Sequence, residues 1–248
     1  MPVKIYGLLN AAGFWVAMIV ALRRARPGGL EPEFVFKMGV LSTFAGILGG
    51  KLGFLSQNPA SFSWEMLRDW SRGYLLAGGL IGALTTAIFY SLARGKNLLV
   101  VGDVANPCIF LGVAIGKIGC FLTGCCYGRP AELPFGLDRH PTQLYESGAC
   151  FAIFAVLSWL FWRWPRIGLI PCWCYMLYPA SRFAIEFLRG DPGRTGVYWF
   201  GLTFTQWVCF WGFLMSAVGL WTLLKHPRKP RAHFETRPSP RSPTALPA

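Results

Sequence analysis

The chain is predicted to be all-α and polytopic, with seven helices crossing a membrane. Three observations carry this. Hydrophobic residues make up 54% of the 248 and charged residues only 14%. Apolar runs of roughly 20 residues, the length that spans a bilayer core, recur seven times along the chain. The basic residues behind the net charge of +13 gather in short segments after every second run and in a carboxyl-terminal tail. That alternation is the mark of positive-inside topology, and it excludes a continuous nucleic-acid-binding surface. Length does not imply two globular domains, because helices of one bundle share one interior. Residues 1–224 are expected to form the transmembrane domain, and 225–248, basic and rich in proline, a disordered cytoplasmic tail.

The runs lie at about 4–23, 34–55, 74–94, 98–122, 143–163, 167–188 and 203–224. The first is read as a retained helix: Ile5 to Leu22 is long for a signal sequence, and Arg23-Arg24-Ala25-Arg26 leads to no small-residue cleavage site. The second run carries Lys37 and Lys51, the fourth Asp103 and Lys117, the sixth Arg182 and Glu186. An unpaired charge at membrane depth is costly, so these three helices are expected to face the bundle interior. Arg23, Arg24 and Arg26 follow the first run, Arg94 and Lys96 the third, Arg163 and Arg166 the fifth, and Lys225, Arg228, Lys229 and Arg231 the seventh. All four clusters fall on one side, the cytoplasmic one, so the amino terminus is expected outside and the carboxyl terminus inside. Between the second and third runs, Trp64 and Trp70 among Glu65, Arg68, Asp69 and Arg72 suit an interfacial amphipathic segment.

Chemistry is expected between Gly116 and Glu146, where an apolar chain gathers Lys117, three cysteines, Arg129, Arg139, His140 and Glu146. His140 is the one histidine outside the tail, and an imidazole is the ready base near neutral pH. The same Arg-His-Pro-Thr-Gln run also suits a helix start, with Thr142 or Gln143 satisfying the first free amides. Tyr145 and Glu146 stand where they can bond to Lys117 or Arg182, with Glu146 balancing charge. Glu186, four residues after Arg182, shares its helical face and suits an ion pair. Asp103 is expected to neutralise Lys51 or Lys117. Of eight cysteines, most lie inside apolar runs and act as small hydrophobes; only Cys120, Cys125 and Cys126 cluster beside charges. A disulfide on the outer face and a thiolate carrier stabilised by Lys117 and Arg129 both stay open. The C-x4-C-C spacing lacks the second ligand pair of a zinc knuckle, so neither a metal nor a cofactor is expected.

Arg139-His-Pro-Thr-Gln-Leu-Tyr-Glu146, followed by Arg182-Phe-Ala-Ile-Glu-Phe-Leu-Arg189, resembles the prolipoprotein diacylglyceryl transferase family. Tyr6-Gly7-Leu8 with Arg23-Arg24, Gly49-Gly50-Lys51-Leu-Gly53, Gly78-Gly79-Leu80-Ile81-Gly82, Asp103-Val-Ala-Asn-Pro107 and Gly116 to Gly128-Arg129-Pro130 extend the likeness in order over most of residues 5–224. The resemblance implies a seven-helix enzyme of the bacterial inner membrane. It would move the diacylglyceryl group of phosphatidylglycerol onto the cysteine thiol of a lipoprotein precursor and release glycerol phosphate. It implies Arg182 as the essential phosphate-binding arginine, with Lys117 and His140 beside it in catalysis. Tyr6, Lys51, Gly78, Gly79, Gly128, Arg129, Tyr145, Glu146, Tyr178 and Glu186 are then substrate contacts. The chain departs from the family's pattern at Ala77, where a histidine is usual, and at Lys117, Cys120, Thr123 and Cys125, where arginine, two asparagines and a glutamate are usual. These departures keep open a non-catalytic lipid-binding relative, or an enzyme with another acceptor.

Overall fold

The computed structural model describes residues 2–57, 73–133, 137–190 and 199–226. Among them are seven α-helices: α1 Pro2–Ala25, α2 Pro32–Gln57, α3 Leu76–Ala93, α4 Leu98–Leu122, α5 Thr142–Arg163, α6 Leu169–Glu186 and α7 Phe204–Lys225. Every apolar run is thus a helix. Between α4 and α5 lies an antiparallel pair, β1 Pro130–Leu133 and β2 Leu137–Arg139, where sequence suggested only a loop. The tail from residue 227, with His233, and the segment holding Trp64 and Trp70 lie outside the described residues.

Six of the helices are long and apolar enough to cross a membrane. The exception is α6, whose 18 residues include Pro171, Tyr175, Tyr178, Pro179, Ser181, Arg182 and Glu186. Polarity is distributed opposite to that of a water-soluble protein. Leu8, Phe44, Phe89 and Met215 point outward at 68% exposure or more, whereas Lys51, Asp103, Glu146, Arg182, Glu186, Arg189 and Gln206 are buried. Such an arrangement is stable only where the outside is itself apolar.

The chain divides into two compact units, Leu30–Val101 and Met1–Gly29 with Gly102–Ala248. In the first, α2 and α3 run antiparallel along facing glycines. A Cβ on Gly49 would stand 2.5 Å from the Gly78 carbonyl oxygen, and one on Gly53 3.1 Å from the Gly78 Cα. Only hydrogen fits between backbones at that approach. At the far end Phe34 stacks on Tyr90 at 5.4 Å, and Lys96 reaches Glu31 at 3.1 Å.

In the second unit α4 runs opposite to α1: Gly13 of α1 faces Gly112 of α4, and Tyr6 lies against Gly119. The Arg24 guanidinium, at the end of α1, bonds Ser158 and lies 5.3 and 5.4 Å from the Phe154 and Phe161 rings near the end of α5. These two helices therefore run parallel, and one of the arginines read as a topology signal is buried at 5% exposure. The start of α6 is fixed by Asp103, which accepts from the Gly168 and Ile170 amides at 2.9 and 3.1 Å. A buried carboxylate of another helix thereby takes the role of a local cap. Of the two lysines that Asp103 was expected to neutralise, Lys51 and Lys117, the latter lies at the other end of α4 and pairs with Glu146. At α7 the cap is local: Thr203 Oγ1 accepts from the Gln206 amide while Gln206 Oε1 accepts from the Thr203 amide, a capping box.

The glycine contact sets the stability of the α2–α3 pair. Gly49→Ala should lower the thermal midpoint in detergent, by an amount equivalent to about 1–3 kcal/mol, because backbone must move to admit the methyl. Gly7→Ala, with no atom within 4 Å of the added Cβ, should leave it unchanged or raise it. Equal midpoints for the two variants would refute the contact.

Candidate functional site

The second unit assembles its charged residues around Glu146, in the second turn of α5. Its Oε2 lies 2.7 Å from Lys117 Nζ near the end of α4 and 3.8 Å from Arg189 Nη1 beyond α6. Its Oε1 accepts from the Tyr178 hydroxyl at 3.5 Å. Glu146 and Arg189 are 5% and 7% exposed, so little water screens the group. Two cations thus meet at one carboxylate. Burial costs an ion several kcal/mol, which pairing offsets only with good geometry, so the three side chains hold one another in place.

One to two turns along α6 lies the second element. Arg182 Nη2 meets Glu186 Oε2 at 2.6 Å, the i to i+4 pair expected from spacing, and Thr203 Oγ1 donates to Glu186 Oε1 at 3.4 Å. The pair does not use up the guanidinium. Arg182 Nη1 is buried and has no hydrogen-bond partner among the described residues. An orphaned donor on a permanently charged group carries an appreciable penalty, which an anion arriving there would relieve.

The loop after α4 is held by backbone. Gly128 N donates to the His140 carbonyl at 2.9 Å, His140 N to the Arg129 carbonyl at 3.1 Å, and Arg129 N to the Leu188 carbonyl at 2.8 Å. A Cβ on Gly128 would meet His140 and the Leu188 carbonyl at 2.6 Å, and one on Gly190 would meet Arg129 at 2.8 Å. Three segments thus cross where no side chain fits, and Arg129 Nε adds a bond to the Arg189 carbonyl at 3.2 Å. This junction carries Arg189 to Glu146.

Thr142 and Gln143 do not cap α5. Their side chains donate to the Cys126 and Cys125 carbonyls, at 2.8 and 2.6 Å, and strap the cysteine loop to the helix start. The Cys126 thiol is pulled below the usual thiol range, chiefly by a hydrogen bond from Cys120 and further by the Lys117 and Arg189 cations, against the opposing effect of burial.

Other expected site residues fall elsewhere. His140 Nδ1 is 3.4 Å from the Tyr145 hydroxyl and, among the described residues, makes no hydrogen bond to Lys117, Glu146 or Arg182. Tyr145 accordingly faces His140 rather than the cations. Tyr178 donates to Glu146. Tyr6 is 41% exposed on α1. In the other unit Lys51 is 2% exposed, 5.6 Å from the centre of the Tyr74 ring, and Gly78 and Gly79 face α2. Arg189 received no role from sequence. The available signal was its place at the end of the Arg182–Arg189 run.

A family model described as prolipoprotein diacylglyceryl transferase matches residues 1–222. Curated relatives named phosphatidylglycerol–prolipoprotein diacylglyceryl transferase include one from Clostridium tetani, 31% identical over 75% of this chain and 81% of its own length. One from Bordetella bronchiseptica is 30% identical over 90% of this chain and 91% of its own. Another, from Nitratidesulfovibrio vulgaris, is 32% identical over 89% and 88%.

If Glu146 is the shared counter-ion, Glu146→Gln should destabilise the detergent-solubilised protein by about 3–5 kcal/mol, since buried Arg189 and part-buried Lys117 both lose a carboxylate. Lys117→Met should then cost less in the Glu146→Gln background than in the wild type, with a coupling of about 1 kcal/mol or more. Additive effects would mean that the two side chains do not interact.

Proposed function

This chain belongs to the prolipoprotein diacylglyceryl transferase family, and on that premise we propose that it transfers the diacylglyceryl group of phosphatidylglycerol to the cysteine thiol of a lipoprotein precursor. The thiol gives up its proton, the sulfur attacks the glyceryl carbon bearing the phosphate, a carbon–sulfur bond forms, and the carbon–oxygen bond to phosphate breaks. Glycerol phosphate leaves with the electron pair. The setting is a bacterial inner membrane crossed seven times, with α6 sheltered as the seventh crossing, the amino terminus outside and residues 225–248 in the cytoplasm. Residues 1–224 form the membrane domain.

The observation that carries this reading is the orphaned Arg182 Nη1 within an apolar bundle. A guanidinium keeps its charge there and presents a planar donor pair to phosphate oxygens. Glu186 fixes the orientation of the fork by holding Nη2, so Nη1 remains for the headgroup. Lys117, held by Glu146, contributes charge to the same region without the bidentate geometry of arginine. Arg189 adds a second cation beside it. His140, bonded to Tyr145, serves as the proton acceptor for the incoming thiol. Tyr6, Arg129, Tyr178 and the Gly128 junction line the approach in this reading.

A second reading is a lipid-binding relative without transfer chemistry. It is favoured by Ala77, where the family usually has histidine, and by the lack, among the described residues, of a hydrogen bond from His140 to the Glu146 cluster.

Complementation in a strain depleted of its own transferase separates the two. Rescue by the wild-type chain is expected, and Arg182→Lys, which keeps a charge for Glu186 but loses the second amino group, should reduce transfer about 10²- to 10³-fold while inserting normally. Failure of the wild-type chain despite normal insertion, with no activity gained after Ala77→His and Lys117→Arg, would favour the second reading.

A further inference from the structure

The cysteine loop has a geometry that the transfer reaction does not use. The Sγ atoms of Cys120, Cys125 and Cys126 all lie within 4.8 Å of one another. They arrive there by a strained path. After α4 the chain turns through Gly124 at φ 70° and Cys126 at φ 61°, the latter a left-handed conformation that a residue with a side chain avoids. The turn is pinned by the Cys125 amide donating to the Cys120 carbonyl at 3.2 Å, and by the two straps from Thr142 and Gln143. Both strap residues are buried, at 0% and 4% exposure. The backbone is therefore held so that three sulfurs converge.

From this geometry we infer that Cys120, Cys125 and Cys126 form a three-thiolate site for a soft d10 cation of the copper(I) or zinc(II) class. A metal–sulfur bond of about 2.3 Å sets sulfur–sulfur edges of roughly 3.8–4.0 Å, so the observed trio needs to contract only slightly. Zinc-knuckle spacing argues against a four-ligand site assembled from two pairs; it does not bear on a trigonal set of three. Thiolates select thiophilic ions over hard ones. Three sulfur–metal bonds form as up to three thiol protons pass to solvent, and the resulting complex with a monovalent or divalent ion is anionic. Cations stand close to the loop: Lys117 and Arg189 both reach Glu146, and Lys117 lies one helical turn before Cys120. Cys125 is exposed and gives the ion an entry, while Cys120 is buried and gives the site its floor. A disulfide would occupy two of the sulfurs and leave the third, with its straps, unexplained.

The test uses the full chain, purified in detergent, reduced and kept anaerobic, and titrated separately with copper(I) and zinc(II). The expected result is one ion of at least one type retained per chain after gel filtration. Alkylation followed by mass spectrometry should then find Cys120, Cys125 and Cys126 protected while Cys172 reacts as before. Both readouts use the wild-type protein and need no variant to fold. Cys125→Ser and Cys126→Ser should each weaken retention about tenfold or more, and Cys172→Ser should not. The inference is overturned if neither ion is retained, if an ion is retained while the three thiols stay reactive, or if thiols trapped in intact membranes reveal a disulfide within the trio. None of these outcomes bears on whether lipid transfer occurs, which complementation reads separately.

Discussion

One buried carboxylate organises the second unit. Glu146 holds Lys117 from α4 and Arg189 from beyond α6, and accepts from Tyr178 within α6. Three separate stretches of chain are thereby fixed to the second turn of α5. In an apolar protein the alternative to pairing is an unscreened ion, at a cost of several kcal/mol. The cluster is therefore a constraint on the fold as much as a site within it. Its chemistry follows from the same arrangement: two cations meet at one carboxylate, and Arg182 adds an amino group without a hydrogen-bond partner among the described residues.

The backbone supports this arrangement where side chains cannot. At the crossing of the loop after α4, the approach to α5 and the segment after α6, Gly128 and Gly190 let main chains touch. The bonds from Gly128, Arg129 and His140 then fix the register of the three strands of chain. Arg189 follows directly from this junction, and the cysteine loop hangs from the same place through Thr142 and Gln143. Positioning by backbone leaves charged side chains available for pairing or for ligand.

All seven helices were legible in the sequence, because their signal is an apolar run long enough to cross a bilayer, with little competing pattern. The Arg182–Glu186 pair was legible for a similar reason, since its spacing places both on one helical face. What escaped was what depends on the path of the loop. Thr142 and Gln143 read as caps because their types and position suit caps, yet the carbonyls of the returning cysteine loop offered acceptors that outcompeted local bonding. Asp103 read as a counter-ion to a lysine, and its bonds to the two free amides at the start of α6 were not foreseen. Arg189 went unassigned because its role depends on Gly128 and Gly190 bringing it back to α5, a contact between residues far apart in the chain. Residue types alone do not say which of several suitable partners the fold delivers.

The central claim is that Arg182 keeps a donor for an anionic lipid headgroup. The direct measurement is the lipid that remains bound when the full chain is taken from detergent into native mass spectrometry, after equilibration with equal amounts of phosphatidylglycerol and phosphatidylethanolamine. Preferential retention of phosphatidylglycerol by the wild-type chain is expected, with loss of that preference in Arg182→Gln. Equal retention of the two lipids by the wild type, or a preference unchanged by Arg182→Gln, would contradict it.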